Sequence, residues 1–497
     1  MAHLKEKSVY LMFSFFLRME FVTDRKKGDE TNMETMKITK ENKMGIMPVN
    51  KLLVSMSLPM MLSMLVQALY NIVDSVFVSR INENALTAVS LAFPLQTLMI
   101  ALGAGTGVGI NALLSKSLGE KDFIKANKTA VNGVFLAVVN YIIFLLVGIF
   151  LTGPFYLSQT KDAQIVEYGK QYLMIVCCCS FGIYMQFVFE RLLQSTGKTF
   201  YTMITQGTGA IINIILDPIF IFGYFGIPRM GVAGAAIATV TGQVVAGIIA
   251  LIINVKKNTE IKIQFRGFRP DSVIIKQIYR VGIPSIIMQA IGSVMTYGMN
   301  KILMTFSSTA AAVFGVYFKL QSFIYMPIFG LNNGMVPIVA YNYGAGKKDR
   351  LIKTVKLSVL YAICLMVIGF IVFQIFPAQL FALFHASDTM LEIGIPALRI
   401  ISCSFLLAGF CIICTSMFQA LENGVYSMIV SIARQMVVLL PVAYCLSLLG
   451  NVTYVWWAFP IAELSSMCVS IFFLVRIYNK VIKHIGENNE KQEKVQL

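Results

Sequence analysis

Apolar runs of about 20 residues recur along the whole of this 497-residue chain. Each is long enough to cross the roughly 30 Å hydrocarbon core of a bilayer as a helix. Composition points the same way: the chain is 57% hydrophobic and 13% charged, with mean hydropathy +0.72. Soluble domains run at about 45–50% apolar and about 25% charged. The chain is therefore read as an all-α polytopic membrane protein with a large interior to bury.

Twelve spans can be drawn, at 52–78, 86–112, 127–151, 165–189, 199–222, 231–254, 277–303, 311–338, 353–375, 393–417, 424–446 and 453–477. Charge checks the count. With the N-terminus inside, the inner loops carry Lys116, Lys121, Lys125 and Lys128, then Arg191 and Lys198, then the basic stretch from Lys256 to Arg280. Lys347, Lys348, Arg350, Lys353 and Lys356 follow, and finally the tail from Arg476. The outer loops hold only Arg80, Lys161 and Arg229. That alternation is the positive-inside rule. It places both termini in the cytoplasm of a bacterial-type plasma membrane. The net charge of +16 and pI near 9.3 then reflect cations facing the inner leaflet. No soluble domain remains to bind nucleic acid.

The first residues are unusual. "SVYLMFSFFLRMEF" looks like a signal-peptide core, but it is too short to span, Arg18 interrupts it and no small-residue cleavage site follows. It is either an amphipathic cytoplasmic tail or extra sequence ahead of a start near Met33, Met36 or Met44, and the second is favoured. Residues 1–45 are expected to lie outside the fold.

An internal repeat is visible at an offset of 225 positions. Pro59 pairs with Pro284, "FPLQ" (93–96) with "FKLQ" (318–321), and Gly105, Gly109 and Gly119 with Gly330, Gly334 and Gly344. Further on, Gly169, Gln194, Tyr201 and Met203 pair with Gly394, Gln419, Tyr426 and Met428. One offset kept across five helices means duplication of a six-helix unit. Six is even, so the copies enter the membrane in the same sense and are related by a pseudo-two-fold axis along its normal. The expected organisation is a first lobe at 46–254, a basic linker at 255–276, a second lobe at 277–480 and a cytoplasmic tail at 481–497. Two like lobes suit alternating access.

Ionisable groups inside a membrane cost at least about 2.5–3.5 kcal/mol on insertion scales, so the survivors are functional candidates. They are Asp74, Asp217, Lys319, Arg434 and Glu463. Glu190, Lys170, Lys301, Glu392 and Arg399 sit nearer span ends and can snorkel. Gln67, Asn71 and Asp74 share a helix face, with Tyr70 beside it. Asn213 and Asp217 share another, and Pro218 frees the carbonyl of Ile214. Such oxygens suit a hard monovalent cation. The fifth and sixth spans turn near Pro228, and residues equidistant from that turn share a depth. Asn213 is then level with Gln243 and Asp217 with Thr239, at about the depth of Asp74. Two close carboxylates repel unless a proton or cation joins them. The plainer alternatives are a carboxylate capped by its neighbours at Asp74 and a prop for the proline kink at Asp217.

The same hairpin reasoning pairs Arg434 with Glu463 as a buried, structural ion pair. Lys319 either lines a cavity or snorkels. "GAGTGVGIN" (103–111) does not fit a phosphate loop, since no strand precedes it. Gly105 and Gly109 instead form a close-packing helix face, and "GLNNGMVP" (330–337) reads as a loosened helix segment. Cys411-x-x-Cys414 lies in an apolar helix, where reduced structural thiols are expected. The three histidines have no metal-ligand spacing. Neither HExxH nor a nucleophile–base pair supports a membrane-embedded enzyme.

"LPMMLSMLVQALYNIVDSVFVSR", "LAFPLQTLMIALGAGTGVGINALLSKSLGEKD", "NIILDPIFIFG", "GVAGAAIATVTGQ" and "FGLNNGMVPIVAYNYGAGKKDR" together closely resemble the multidrug and toxic compound extrusion (MATE) family, nearest its bacterial MepA-type members in the DinF-like branch. The likeness covers about residues 44–480. It implies twelve helices in two six-helix lobes and export of organic cations or drugs by antiport with H⁺ or Na⁺. By the same likeness, Asp74, Asn213, Asp217 and Thr239 match the family's first-lobe ion site. The acids that the NorM-like branch carries on helices seven and ten are missing from 281–303 and 395–417. The expectation is a monomeric antiporter for small cationic, lipophilic drugs, with no cofactor beyond its coupling ion. The alternative is a lipid-linked precursor flippase of the same superfamily; twelve spans and an acidic first lobe count against it.

Overall fold

The computed structural model describes residues 41–265, 268–384 and 386–486. The expectations for residues 1–40 and for the end of the tail lie outside these. Among the described residues there is helix and no strand. Ten helices are long and apolar enough to cross a membrane, and two bent helix pairs bring the spans to twelve. Most run past the limits drawn from hydropathy, as in Val49–Ser79, Glu83–Gly119 and Ser308–Gly344, because their ends lie in polar sequence, capped by Asn82 and Ser307 in the last two.

The fourth and tenth spans are broken. Ala163–Cys178 meets Phe181–Ser195 at 42°, and Asp388–Ser402 meets Phe405–Ala420 at 50°. The triplet Cys-Ser-Phe marks both breaks, at 179–181 and 403–405. At the second, Ser404 Oγ donates to the Ile401 carbonyl at 2.7 Å, taking an acceptor that the helical ladder would use.

The repeat extends from identities to local chemistry. Asn82 caps the Glu83–Gly119 helix by accepting from Ala85 N at 2.7 Å, and Ser307, its repeat mate, accepts from Ala310 N at 3.0 Å. Asp162 and Ser387 cap Ala163–Cys178 and Asp388–Ser402 in the same way. Gly169 lies against the ring of Tyr156, and Gly394 against the ring of Phe381 at the matching place. "GLNNGMVP", expected to be loosened, is continuous α-helix within Ser308–Gly344. Its glycines do what those of a packing face do: Gly330 lies against the backbone of Met61 and Gly334 against Ser57.

Two compact units result, and the helices Val49–Ser79 and Ser272–Met304 are each divided between them. Among the described residues, one unit holds those up to Ile46 and Val66–Ile278; the other holds Met47–Leu65 and those from Tyr279 onward. The expected limit of the fold at residue 45 also moves. Met44 is fully buried in the short Lys43–Ile46 helix, and Asn42 donates to the Thr196 carbonyl at 3.2 Å and to Glu260. Burial pushes the Glu260 carboxyl up and the Lys43 and Lys198 ammonium groups down, against the attraction of each lysine for Glu260.

The linker ends on a charged cap. Asp271 accepts from Val273 N at 3.1 Å and Ile274 N at 3.3 Å, opening Ser272–Met304, and pairs with Lys128 at 3.2 Å. The backbone N–H of Ile274, then Lys128, hold its carboxyl below the usual value of 3.8. A depressed carboxyl contributes stability above its unfolded value and loses it as pH falls through the folded one. Asp271→Ala should therefore lower the melting temperature at pH 7 more than Asp271→Asn, and the gap between wild type and Asp271→Ala should close in acid. Scanning fluorimetry in detergent at both pH values checks this.

Candidate functional site

The Thr199–Phe222 and Val232–Lys257 helices pack backbone to backbone. A Cβ on Gly242 would fall 2.7 Å from the Gly209 carbonyl oxygen, and one on Gly234 would fall 2.6 Å from that of Phe220. This approach carries Asn213 to Thr239, Nδ2 to Oγ1 at 3.2 Å. The same amide reaches Asp217 Oδ1 at 3.3 Å, one helical turn on. Asp217 is fully buried and Asn213 nearly so. Gly242→Ala should force the pair apart, costing about 1–3 kcal/mol and loosening the Asn213–Thr239 contact. Thermal unfolding of the purified variant measures the first effect.

Asp74 joins from the Val49–Ser79 helix. It is half-buried and close enough to act electrostatically on Asp217, Tyr70 and Tyr172. Tyr70 also feels Asp217 and hydrogen-bonds Gln67. What distinguishes the cluster is its lone pairs. Asp74 Oδ1, Asn213 Oδ1 and Asp217 Oδ2 are all buried, and none has a hydrogen-bond partner among the described residues. Each uncompensated buried polar group costs about 1–3 kcal/mol, more when charged. Oxygen acceptors from two helices, beside two carboxylates, form a donor set that fits a proton or a small hard cation.

Not every expected member takes part. Gln243 is half-buried and makes no hydrogen bond to the cluster, and the Asn71 side chain is exposed, its carbonyl accepting from Ser75 Oγ at 2.9 Å. Two residues beyond the expected set adjoin the cluster: Tyr172, in the electrostatic range of Asp74, and Gln96, whose amide donates to the Tyr172 hydroxyl at 3.0 Å. In the sequence, Gln96 is marked only as part of the repeated "FPLQ".

The other candidate charges resolve differently. Glu190 does not snorkel. It is 2% exposed and accepts from Gln186 Nε2 at 2.9 Å, Thr205 Oγ1 at 3.0 Å and Gln206 Nε2 at 2.7 Å. Three donors from two helices replace its hydration. Lys319 is exposed, its ammonium 5.9 Å from the centroid of the Phe384 ring. Arg434 and Glu463 form the expected pair, at 3.3 Å. No group of His, Cys, Asp and Glu with metal-binding geometry occurs among the described residues.

These features have counterparts in known proteins. The family model described as MatE matches residues 59–219 and 284–445, one match in each half of the repeat. The chain is 28% identical to a protein of Staphylococcus haemolyticus named "Multidrug export protein MepA", over 87% of this chain and 94% of the relative. It is 28% identical to the protein of that name from Staphylococcus aureus, over 86% and 93%. A solved structure described as the outward-facing conformation of a multidrug resistance MATE family transporter of the MOP superfamily is also similar. It superposes with a TM-score of 0.84 at 28% identity, covering 90% of this chain and 99% of its own. With both halves of the duplicated unit matched over more than half its length, the chain belongs to the MatE family of multi-pass membrane transporters.

Proposed function

We propose that the protein is a secondary-active multidrug exporter, which moves cationic, lipophilic compounds out across the plasma membrane in exchange for H⁺ or Na⁺. Membership of a transporter family, with relatives named for multidrug export, supports the export. One observation supports the ion coupling: the buried oxygens Asp74 Oδ1, Asn213 Oδ1 and Asp217 Oδ2, which take no hydrogen bond among the described residues, beside the Asn213 amide that donates to Thr239. Two buried carboxylates within electrostatic reach repel, and a bound proton or cation relieves that repulsion. A cationic substrate draws on the same negative charge. An ion arriving from outside therefore weakens the hold on the substrate and favours its release. Return of the ion to the cytoplasm restores the charge for the next substrate molecule. Gln67 and Tyr70 hold the first-helix side of the cluster, and Tyr172 with Gln96 backs it from two further helices. The transporter works as a monomer, with both termini in the cytoplasm.

The test is efflux of a fluorescent cation from proteoliposomes, with a pH gradient and a Na⁺ gradient imposed separately. Uphill movement driven by one of them is the expected result. Movement that ignores both gradients would refute antiport.

A further inference from the structure

The repeat places two helix starts side by side in each unit, and supplies an anion at only one of the two places. In one unit, Lys128, near the start of Phe123–Phe150, pairs with Asp271 at 3.2 Å. Asp271 also accepts from Val273 N and Ile274 N at the start of Ser272–Met304. A carboxylate thus lies between a lysine and a helix N-terminus, where negative charge is favoured. The positions 225 away in the repeat hold Lys353 for Lys128, Pro48 for Val273, Val49 for Ile274 and Ile46 for Asp271. The lysine and the helix start are kept, and the carboxylate is not.

At that second place there is a cavity of about 390 Å³. Pro48, Val49 and Lys51 line it from the start of Val49–Ser79, and Asp349, Arg350 and Lys353 from the start of Lys348–Ile375. All six belong to one compact unit. Pro48, the residue before the first of these helices, offers neither a side-chain acceptor nor an N–H. The N–H of Val49 takes no acceptor among the described residues. Lys51 and Lys353 are exposed and make no ion pair or hydrogen bond among those residues. Arg350 is held in the wall by donating to the Met47 carbonyl at 2.7 Å and to Asn342 Oδ1 at 3.2 Å. Asp349 is the single acid in the wall; it pairs with none of the three cations, and in the first turn of its own helix it faces the favourable end of the helix dipole. Three cations against one acid leave the wall with a charge of +2. A water's share of liquid is about 30 Å³, so the cavity has room for a group much larger than a single ion.

We propose that this cavity binds a phosphate group, which Lys51, Arg350, Lys353 and the Val49 N–H surround as Lys128 and the Val273 and Ile274 N–H groups surround Asp271 in the other unit. Helix N–H groups and an arginine beside two lysines match phosphate oxygens, and the volume exceeds what one carboxylate fills. The site lies on the face that the positive-inside rule assigns to the cytoplasm. Its phosphate therefore comes from an anionic lipid of the inner leaflet or from solution. A wall of charge +2 repels the choline cation, so an anionic headgroup is preferred to a zwitterionic one. The site is independent of the exporter reading, because the Asp74–Asp217 cluster belongs to the other unit.

The full chain in dodecyl maltoside is titrated at constant ionic strength with inorganic phosphate, with dihexanoyl phosphatidylglycerol and with dihexanoyl phosphatidylcholine. Scanning fluorimetry follows the melting midpoint, which rises with any ligand that binds the folded state. Phosphatidylglycerol should act at about tenfold lower concentration than phosphatidylcholine, the worth of one charge-assisted contact. Lys51→Gln and Lys353→Gln should each weaken the response by about the same factor, and together abolish it. Lys356→Gln removes a cation of the same helix that does not line the cavity, and should leave the response intact. A response to phosphatidylglycerol without one to inorganic phosphate assigns the site to lipid; a response to inorganic phosphate that the same two variants remove assigns it to phosphate in solution. No response to either source overturns the site. So does phosphatidylcholine that acts as well as phosphatidylglycerol, or a Lys356→Gln variant that loses as much as Lys353→Gln.

Discussion

Asp74→Asn abolishes ion-driven export while the protein still inserts and folds. The substitution keeps the shape and removes the charge. Each elementary charge moved through the membrane potential contributes about 2.3 kcal/mol per 100 mV, which corresponds to about a fifty-fold concentration ratio. Loss of one coupled charge should therefore lower the accumulation ratio by about that factor per 100 mV. Asp217→Asn is the sharper case. Its new amide can donate to oxygens that now lack donors, Asn213 Oδ1 among them. The variant should melt no lower than wild type, and higher if that bond forms, while export is lost. Stability sacrificed for function is what a strained active cluster predicts. Transport in proteoliposomes and scanning fluorimetry give the two readings. Full export by either variant would remove that carboxylate from the coupling site.

Much of this was legible in the sequence because two simple regularities govern it. Hydropathy set the twelve spans, and the repeat offset fixed equivalences that the structure extends to caps, breaks and packing contacts. Depth along a hairpin then set Arg434 opposite Glu463, because straight helices joined by a short turn keep their residues in step; it set Asp217 level with Thr239, whereas the hydrogen bond to Thr239 comes from Asn213, one turn earlier. Where the reading failed, the missing information was rotational. Gln243 is level with Asn213 yet unbonded, because depth does not say which way a side chain points. Tyr172 and Gln96 come from helices that no turn links to the aspartates. Glu190 looked able to reach the membrane surface, but the donors that keep it buried, Gln186, Thr205 and Gln206, become neighbours only on folding. The bends at Cys179 and Cys403 interrupt neither hydropathy nor length, so nothing in those signals marked them.

Gly109→Ala and Gly334→Ala, at equivalent places in the two copies, should each cost about 1–3 kcal/mol and reduce export with it. A Cβ on Gly109 would fall 2.1 Å from the carbonyl oxygen of Ile278; one on Gly334 would fall 2.4 Å from Ser57 Oγ and 2.7 Å from its Cα. Backbone atoms cannot rotate aside, so whole helices must shift. Gly207 supplies the control: it is also helical, but nothing lies within 4 Å of its Cβ position. There alanine's better helix propensity acts unopposed, and Gly207→Ala should be neutral or stabilising by up to about 1 kcal/mol. The comparison separates close packing from propensity, since all three changes add the same methyl group to a membrane helix. Midpoints from thermal unfolding that match for Gly109→Ala, Gly334→Ala and Gly207→Ala would mean that the helices do not approach closely at those glycines. A drop at the first two alone would show that the duplicated unit has kept a steric requirement as well as a sequence motif.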